Sequence, residues 1–205
     1  YRPISTLEDG TPIGDDCLEK LKKAPRAWAE ADLRFAGFIA FRCLMRKDSK
    51  EVIRLLMKSD HRVAIITGDN ILTALHVAGD IELCTQNRER ILVLEKMESE
   101  PYFQWVNAAT DAAVADFDLS GMHGLAKDND LCITGKVLQH AFGIYGDDLG
   151  QVLHLFKVFA RMAPENKEKV LSVLNNLKMT TLMCGDGAND VGALRQAHVG
   201  VALLS

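Results

Sequence analysis

The six residues Gly185-Asp186-Gly187-Ala188-Asn189-Asp190 follow directly on an apolar run, Thr180 to Cys184. Two glycines, two aspartates and an asparagine are more than a turn needs. Ala188 to Ala197 then carries apolar residues at helical spacing, so the segment reads as strand, polar loop and helix. The unit recurs upstream. Arg62 to Ile66 is a β-branched run that ends at Thr67-Gly68-Asp69-Asn70, and Ile71 to Ala78 reads as a helix. Before it, Leu33 to Phe41 has strand length, and Asp48 to Lys58 sets Val52, Ile53, Leu55 and Leu56 on one helical face. After a less regular middle come Lys157 to Ala160 as a strand, Pro164 to Leu177 as a helix and Val199 to Leu204 as a last strand. Pro164 suits the first helical turn, where its missing N–H costs nothing.

Strands alternating with helices predict an α/β fold, a parallel sheet with helices on both faces. Right-handed crossovers put the loops that follow the strands along one sheet edge, where such folds bind ligands. Residues 1–31 mix proline, glycine and charge with one short helix at Leu18 to Trp28, and read as a connector. Residues 32–205 form the main domain. An insertion is expected at about 85–150, with short strands at Ile91 to Leu94, Phe103 to Val106 and Leu131 to Thr134 and a turn-rich, flexible stretch at Thr110 to Asp130. With 205 residues, 48% of them apolar, one domain with an insertion can bury a core.

The 24 basic and 28 acidic side chains are dispersed and leave no basic stripe for a polyanion, so no nucleic acid is expected as a partner. Five cysteines without a C-x-x-C pair predict reduced thiols and no structural zinc. No run approaches the roughly 18 apolar residues of a membrane-spanning helix. The start at Tyr1 without an initiator methionine, and the end on an apolar run, lead to the expectation that the chain is part of a longer protein.

At the sheet edge, Gly68, Gly185 and Gly187 let backbone amides approach an anion closely, and Thr67 and Asn189 add neutral donors. Asp186 and Asp190 offer two hard carboxylates within one turn, as a magnesium ion that keeps several waters requires. Lys167 supplies a point charge for a phosphoryl group. Plainer readings exist. Taken alone, Thr67 to Asn70 is a turn with Asp69 as a helix cap, and Lys167 among Glu165, Glu168 and Lys169 is a solvated helix face. No P-loop or dinucleotide fingerprint is present, and no histidine has a second metal ligand at helical or hairpin spacing. His76 reads as packing, and Met162 and Met183 as core filler.

In order, Thr67-Gly68-Asp69-Asn70, Phe159-Ala160-Arg161 with Pro164 and Lys167, and Gly185 to Asp190 resemble the phosphorylation-domain signatures of the P-type ATPases, of haloacid-dehalogenase-like fold. The resemblance runs from about Leu33 to Leu204, with Tyr1-Arg2 similar to the exit from a nucleotide-binding domain. Leu131-Cys132-Ile133-Thr134-Gly135, Leu182-Met183-Cys184 and Val191-Gly192-Ala193-Leu194 are most similar to the type-V branch. Val191 leans toward its endoplasmic-reticulum members, the transmembrane-helix dislocases that include manganese-transporting-ATPase-like proteins, over the lysosomal polyamine transporters.

The resemblance implies a Rossmannoid sheet in the cytosolic part of an integral membrane protein of the endoplasmic reticulum, with ATP as substrate and Mg²⁺ as cofactor. An aspartyl-phosphate would couple ATP hydrolysis to transport or helix dislocation. It also implies nucleotide-binding, actuator and membrane domains as partners within the same polypeptide. Thr67, Gly68 and Asn189 would hold the phosphoryl oxygens, Lys167 would neutralise their charge, and Asp69 would order this binding group from beside it; Asp186, with Asp190, would hold the metal, and Lys167, Asp69 and Asp190 would serve catalysis. The family's Asp-Lys-Thr-Gly-Thr nucleophile segment is missing. Glu8-Asp9-Gly10-Thr11 has Leu7 where an Asp-x-Asp nucleophile belongs, and Asp116-Phe117-Asp118 follows Thr67 to Asn70 in the wrong order. The sheet is therefore expected to lack its first, nucleophile-bearing strand, and the chain alone to be inactive. A soluble phosphatase of the same superfamily and a non-catalytic magnesium- and phosphate-binding module remain as alternatives.

Overall fold

Residues 45–100 and 102–203 are described by a computed structural model; the connector expected at 1–31 and the strand expected at Leu33 to Phe41 lie outside them. The described residues belong to one unit that begins at Met45. Helix α1 (Ser49–Lys58) leads to a short strand, β1 (Ile65–Ile66), and to α2 (Ile71–Asp80). Strands β2 (Ile91–Lys96), β3 (Phe103–Asn107) and β4 (Ala113–Asp116) follow, then α3 (Met122–Asp128), β5 (Asp130–Thr134), α4 (Gly135–Tyr145) and α5 (Asp147–Val152). The chain continues through β6 (Phe156–Ala160), α6 (Pro164–Asn176), β7 (Leu182–Gly185), α7 (Val191–Gln196) and β8 (Val199–Ala202). Pro164 stands in the first turn of α6, as its fixed φ favours.

Six strands form one sheet in the order β1-β6-β5-β2-β3-β4. Strands β1, β6, β5 and β2 run parallel, whereas β2, β3 and β4 pair antiparallel. The expectation of a wholly parallel sheet is thereby corrected to a mixed one. The link from Met97 to Tyr102 is shorter than the dozen or so residues that a parallel crossover needs, so β2 and β3 close as a hairpin. Both faces are covered. Leu92, Leu94, Leu131, Ile133 and Phe159 pack with Met122, Leu138, Val170 and Leu171 of the helices on one side. Ile91, Val93, Cys132, Val158 and Ala160 pack with Ala74, Leu75 and Ala78 of α2 on the other. Burial on both faces is why these strands read as continuous apolar runs.

The segment expected as an insertion extends this same sheet. The stretch Thr110 to Asp130, read as turn-rich and flexible, contains β4 and α3. An aromatic cluster anchors it: Phe117 meets the Tyr145 ring at 5.2 Å and the Trp105 ring at 6.0 Å between centroids.

Strands β7 and β8 form a second, two-stranded parallel sheet. Among the described residues, β1 has one partner, β6, and β7 has one partner, β8. Each therefore has one edge without a partner among the described residues. The pairings Leu182↔Val199 and Cys184↔Val201 put four side chains on one face of the small sheet, and all four are exposed, Leu182 at 62%.

Candidate functional site

Backbone hydrogen bonds fasten the loop after β1 onto the loop after β6. Thr67 N–H donates to the Phe159 carbonyl at 2.9 Å, Met162 N–H to the Thr67 carbonyl at 2.9 Å, and Arg161 N–H to the Asp69 carbonyl at 2.8 Å. Arg161 adopts φ +49°, an unusual conformation for a residue with a side chain and one that costs free energy. Thr67 Oγ1 accepts from the Asp69 N–H at 3.1 Å, which fixes the turn internally. Capping of α2 falls to Asn70, whose side chain accepts from Thr73 N–H at 2.9 Å. The Asp69 carboxylate is released from that duty and lies exposed.

The loop after β7 is organised around Asp190, which is turned inward and buried. Its Oδ1 accepts from the Lys167 ammonium at 2.7 Å and its Oδ2 from the Gly187 N–H at 3.3 Å. Both charged side chains are nearly sealed from solvent, at 9% and 11% exposure. Lys167 is thus not a solvated residue, because the turn of α6 that carries it faces the β7 loop. A Cβ on Gly185 would fall 2.7 Å from the Asp190 carboxylate, so that position requires glycine. Asp186 and Asn189 stay on the exposed surface of the loop.

The structure therefore brings together two groups: Lys167 with Asp190, and Thr67, Gly68 and Asp69 with Arg161. Sequence reasoning missed the part played by Arg161, although it belongs to the Phe159-Ala160-Arg161 signature. It also missed Gly135, where a Cβ would lie 2.5 Å from the Arg161 carbonyl oxygen. Arg161, Gly68, Thr134, Lys136, Met162 and Ala163 line a cavity of about 370 Å³ above the carboxyl ends of β1, β6 and β5. His76 is exposed on α2, 3.7 Å from Asp80, and does not pack as expected. Met162 and Met183 are buried in the core.

The donor set fits a magnesium ion better than a softer metal. No group of three or more histidine, cysteine or acidic side chains forms a cage among the described residues. Magnesium needs only one or two carboxylates, because it keeps waters and takes oxygens from its phosphate ligand. Asp186 offers an exposed carboxylate for this, next to Asp190, whose two oxygens each already accept one hydrogen bond.

A mixed sheet with helices on both faces, polar loops after its parallel strands β1 and β6, and a further polar loop after β7 of the small parallel sheet fit a Rossmann-like, haloacid-dehalogenase-like architecture. No family model matches the chain. It is 39% identical over 196 residues to the probable manganese-transporting ATPase PDR2 of Arabidopsis thaliana, covering 94% of this chain and 16% of that protein. It is 41% identical over 181 residues to the endoplasmic reticulum transmembrane helix translocase spfA of Aspergillus fumigatus, covering 86% and 13%. With the human polyamine-transporting ATPase 13A2 the identity is 30% over 212 residues, covering 99% and 18%. The chain belongs to the P-type ATPases, and within them to the type-V branch. It spans about one sixth of the length of these relatives.

Proposed function

We propose that the chain is the magnesium- and phosphate-handling part of the cytosolic phosphorylation domain of an ATP-driven translocase. The observation that carries this reading is the buried 2.7 Å pair between Lys167 and Asp190 beside a loop that leaves Asp186 and Asn189 exposed. A surface pair of this kind would do little for stability. A sealed one is costly to assemble, and here it holds an ammonium at a fixed position under the carboxyl end of β7.

In the complete polypeptide, an upstream aspartate would attack the γ-phosphorus of ATP. A carboxyl O–P bond forms, the bond to the bridging oxygen of ADP breaks, and water later cleaves the aspartyl-phosphate. Thr67, Gly68 and Asn189 would donate to the phosphoryl oxygens, Lys167 would offset their charge, and Asp69 and Asp190 would order the two loops. Mg²⁺, held by Asp186 with Asp190 beside it, would supply charge neutralisation at the phosphoryl group. The nucleophile would arrive on a strand that pairs with the open edges of β1 and β7, at the carboxyl end shared by both loops.

Identity is higher to the endoplasmic reticulum helix translocases, at 37 to 41%, than to the polyamine transporter, at 30%. This supports an endoplasmic reticulum membrane protein whose cargo is a transmembrane helix, with nucleotide-binding, actuator and membrane domains elsewhere in the chain. The test is acid-quenched phosphoenzyme formed by the complete protein with magnesium and γ-labelled ATP. Asp186→Asn removes the hard ligand and is expected to abolish the label. Wild-type label in that variant would refute the metal assignment.

A further inference from the structure

The geometry points to the cavity between Lys136 and Arg161 as the seat of the phosphates that remain on the departing nucleotide, with Lys136 as a specificity-determining residue for ATP; this rests on the phosphoryl-transfer reading above. Lys136 and Arg161 come from different elements, the first turn of α4 and the loop after β6, yet line one cavity of about 370 Å³ with Gly68 and Thr134. Both side chains are exposed into it, and neither has a carboxylate at ion-pair distance among the described residues. Two like charges facing one concave space repel each other unless an anion lies between them.

Their proximity is built into the backbone. The Arg161 carbonyl oxygen packs onto Gly135 so closely that a Cβ there would sit 2.5 Å away, and Asn166 closes the same gap at 3.0 Å. Asn166, itself buried, accepts from the Gln139 side chain of α4 at 3.0 Å, tying that helix to α6 one turn beyond the cavity. Arg161 is held at positive φ by its N–H bond to the Asp69 carbonyl. The pocket is thus welded to the Thr67-Gly68-Asp69 turn on one side and to Lys136 on the other.

Position decides which part of the ligand it takes. Transfer would occur beside the Thr67-Gly68-Asp69 turn that follows β1, with Lys167 and Asp186 on the β7 side. Lys136 follows β5, two strands away in the order β1-β6-β5, which is about 10 Å at the usual strand spacing. That offset is too long for contact with the transferred group and suits the phosphates behind it. Gly68 lies at the junction of the two regions and belongs to both.

The experiment uses the complete protein and two phosphate donors. Phosphorylation from ATP needs the whole nucleotide, whereas inorganic phosphate forms the same aspartyl-phosphate by reversal of hydrolysis with no nucleotide present. For Lys136→Ala, the ATP concentration giving half-maximal phosphoenzyme is expected to rise about tenfold, the effect of one lost charge-assisted contact. Half-saturation by inorganic phosphate should stay at the wild-type value, and Lys136→Arg should restore most of the ATP affinity. Competition by ADP should weaken in parallel with ATP, a readout independent of turnover. An unchanged ATP response in Lys136→Ala would overturn the assignment, as would an equal loss toward ATP and inorganic phosphate. A wild-type protein that takes label from neither donor would instead defeat the phosphoryl-transfer reading, and this inference with it.

Discussion

Lys167 is the residue whose surroundings most change its meaning. Its neighbours Glu165, Glu168 and Lys169 are exposed, and the local sequence reads as solvated; only the approach of the β7 loop converts it into half of a buried pair. No local pattern carries that information, because the partner lies 23 positions away. Removing the ammonium strands a buried carboxylate, so Lys167→Met should destabilise the fold by about 3–5 kcal/mol, read from denaturant midpoints. The rate of phosphoenzyme formation should separately fall by about 10² to 10³, the scale for one preorganised group that stabilises transition-state charge, measured by rapid quench below the unfolding range. A rate loss under threefold would leave Lys167 a purely structural residue. Asp69 shows the converse limit: the sequence reads it as the cap of α2, and the structure gives that place to Asn70. At Gly135, alanine would force its Cβ against the Arg161 carbonyl, a backbone atom that cannot swing aside. The Gly135→Ala variant should lose about 1–3 kcal/mol through overpacking. Its ATP affinity should fall as well, because Lys136 and Arg161 would be pushed apart, and titration of ATP against phosphoenzyme measures this.

At the scale of elements, helices and buried strands were legible wherever one physical signal dominated. Pro164 opens α6 as its fixed φ dictates, and the apolar runs at Ile91, Phe103, Leu131 and Lys157 all became strands. Their order in the sheet was not legible, since register and neighbour depend on residues far along the chain, and β4, with all four residues exposed, carries no apolar alternation to announce it. The turn before β6 holds a group that sequence reading set aside. Among the described residues, His154 Nδ1 is buried without a hydrogen-bond partner, and the ring lies 5.7 Å from that of His123 on α3. Burial first, then the nearby charges of Arg62 and His123, lower the His154 pKa below the ordinary histidine value. The unfolded chain therefore takes up this proton before the folded one does. Stability contributed by neutral His154 is complete above the unfolded value of about 6.5 and is lost as pH falls through it toward the lower folded value. Urea midpoints should accordingly drop between pH 7.5 and pH 5, and His154→Gln, which cannot titrate, should flatten that part of the profile. An identical slope in the variant would place the pH sensitivity elsewhere.

For the whole molecule, the two sheets are the telling feature. One element, α6, leaves the six-stranded sheet at β6 and returns to the two-stranded one at β7, and the core formed by Phe159, Val170, Leu171, Met183 and Ala193 runs across both. A shared core under two separate hydrogen-bonded ladders keeps both sheets in one unit although, among the described residues, no strand pairs them. Unpaired edges of this kind attract other chains, and Leu182, Cys184, Val199 and Val201 add an exposed apolar face beside one of them. Residues 1–205 on their own should therefore associate at micromolar concentration, which sedimentation velocity would detect as species heavier than 22.6 kDa. They should also take no covalent label from γ-labelled ATP and magnesium. A site with cation, carboxylates and backbone donors but no nucleophile can stabilise charge on a phosphoryl group without accepting it. The assay quenches the mixture in acid, separates the protein, and compares retained label after neutral and alkaline incubation, since an acyl phosphate survives acid and is lost in alkali. Label with that signature on the isolated chain would mean that Asp9, Asp116 or Asp118 is a working nucleophile, and that the open edges of β1 and β7 do not mark the place of a catalytic strand.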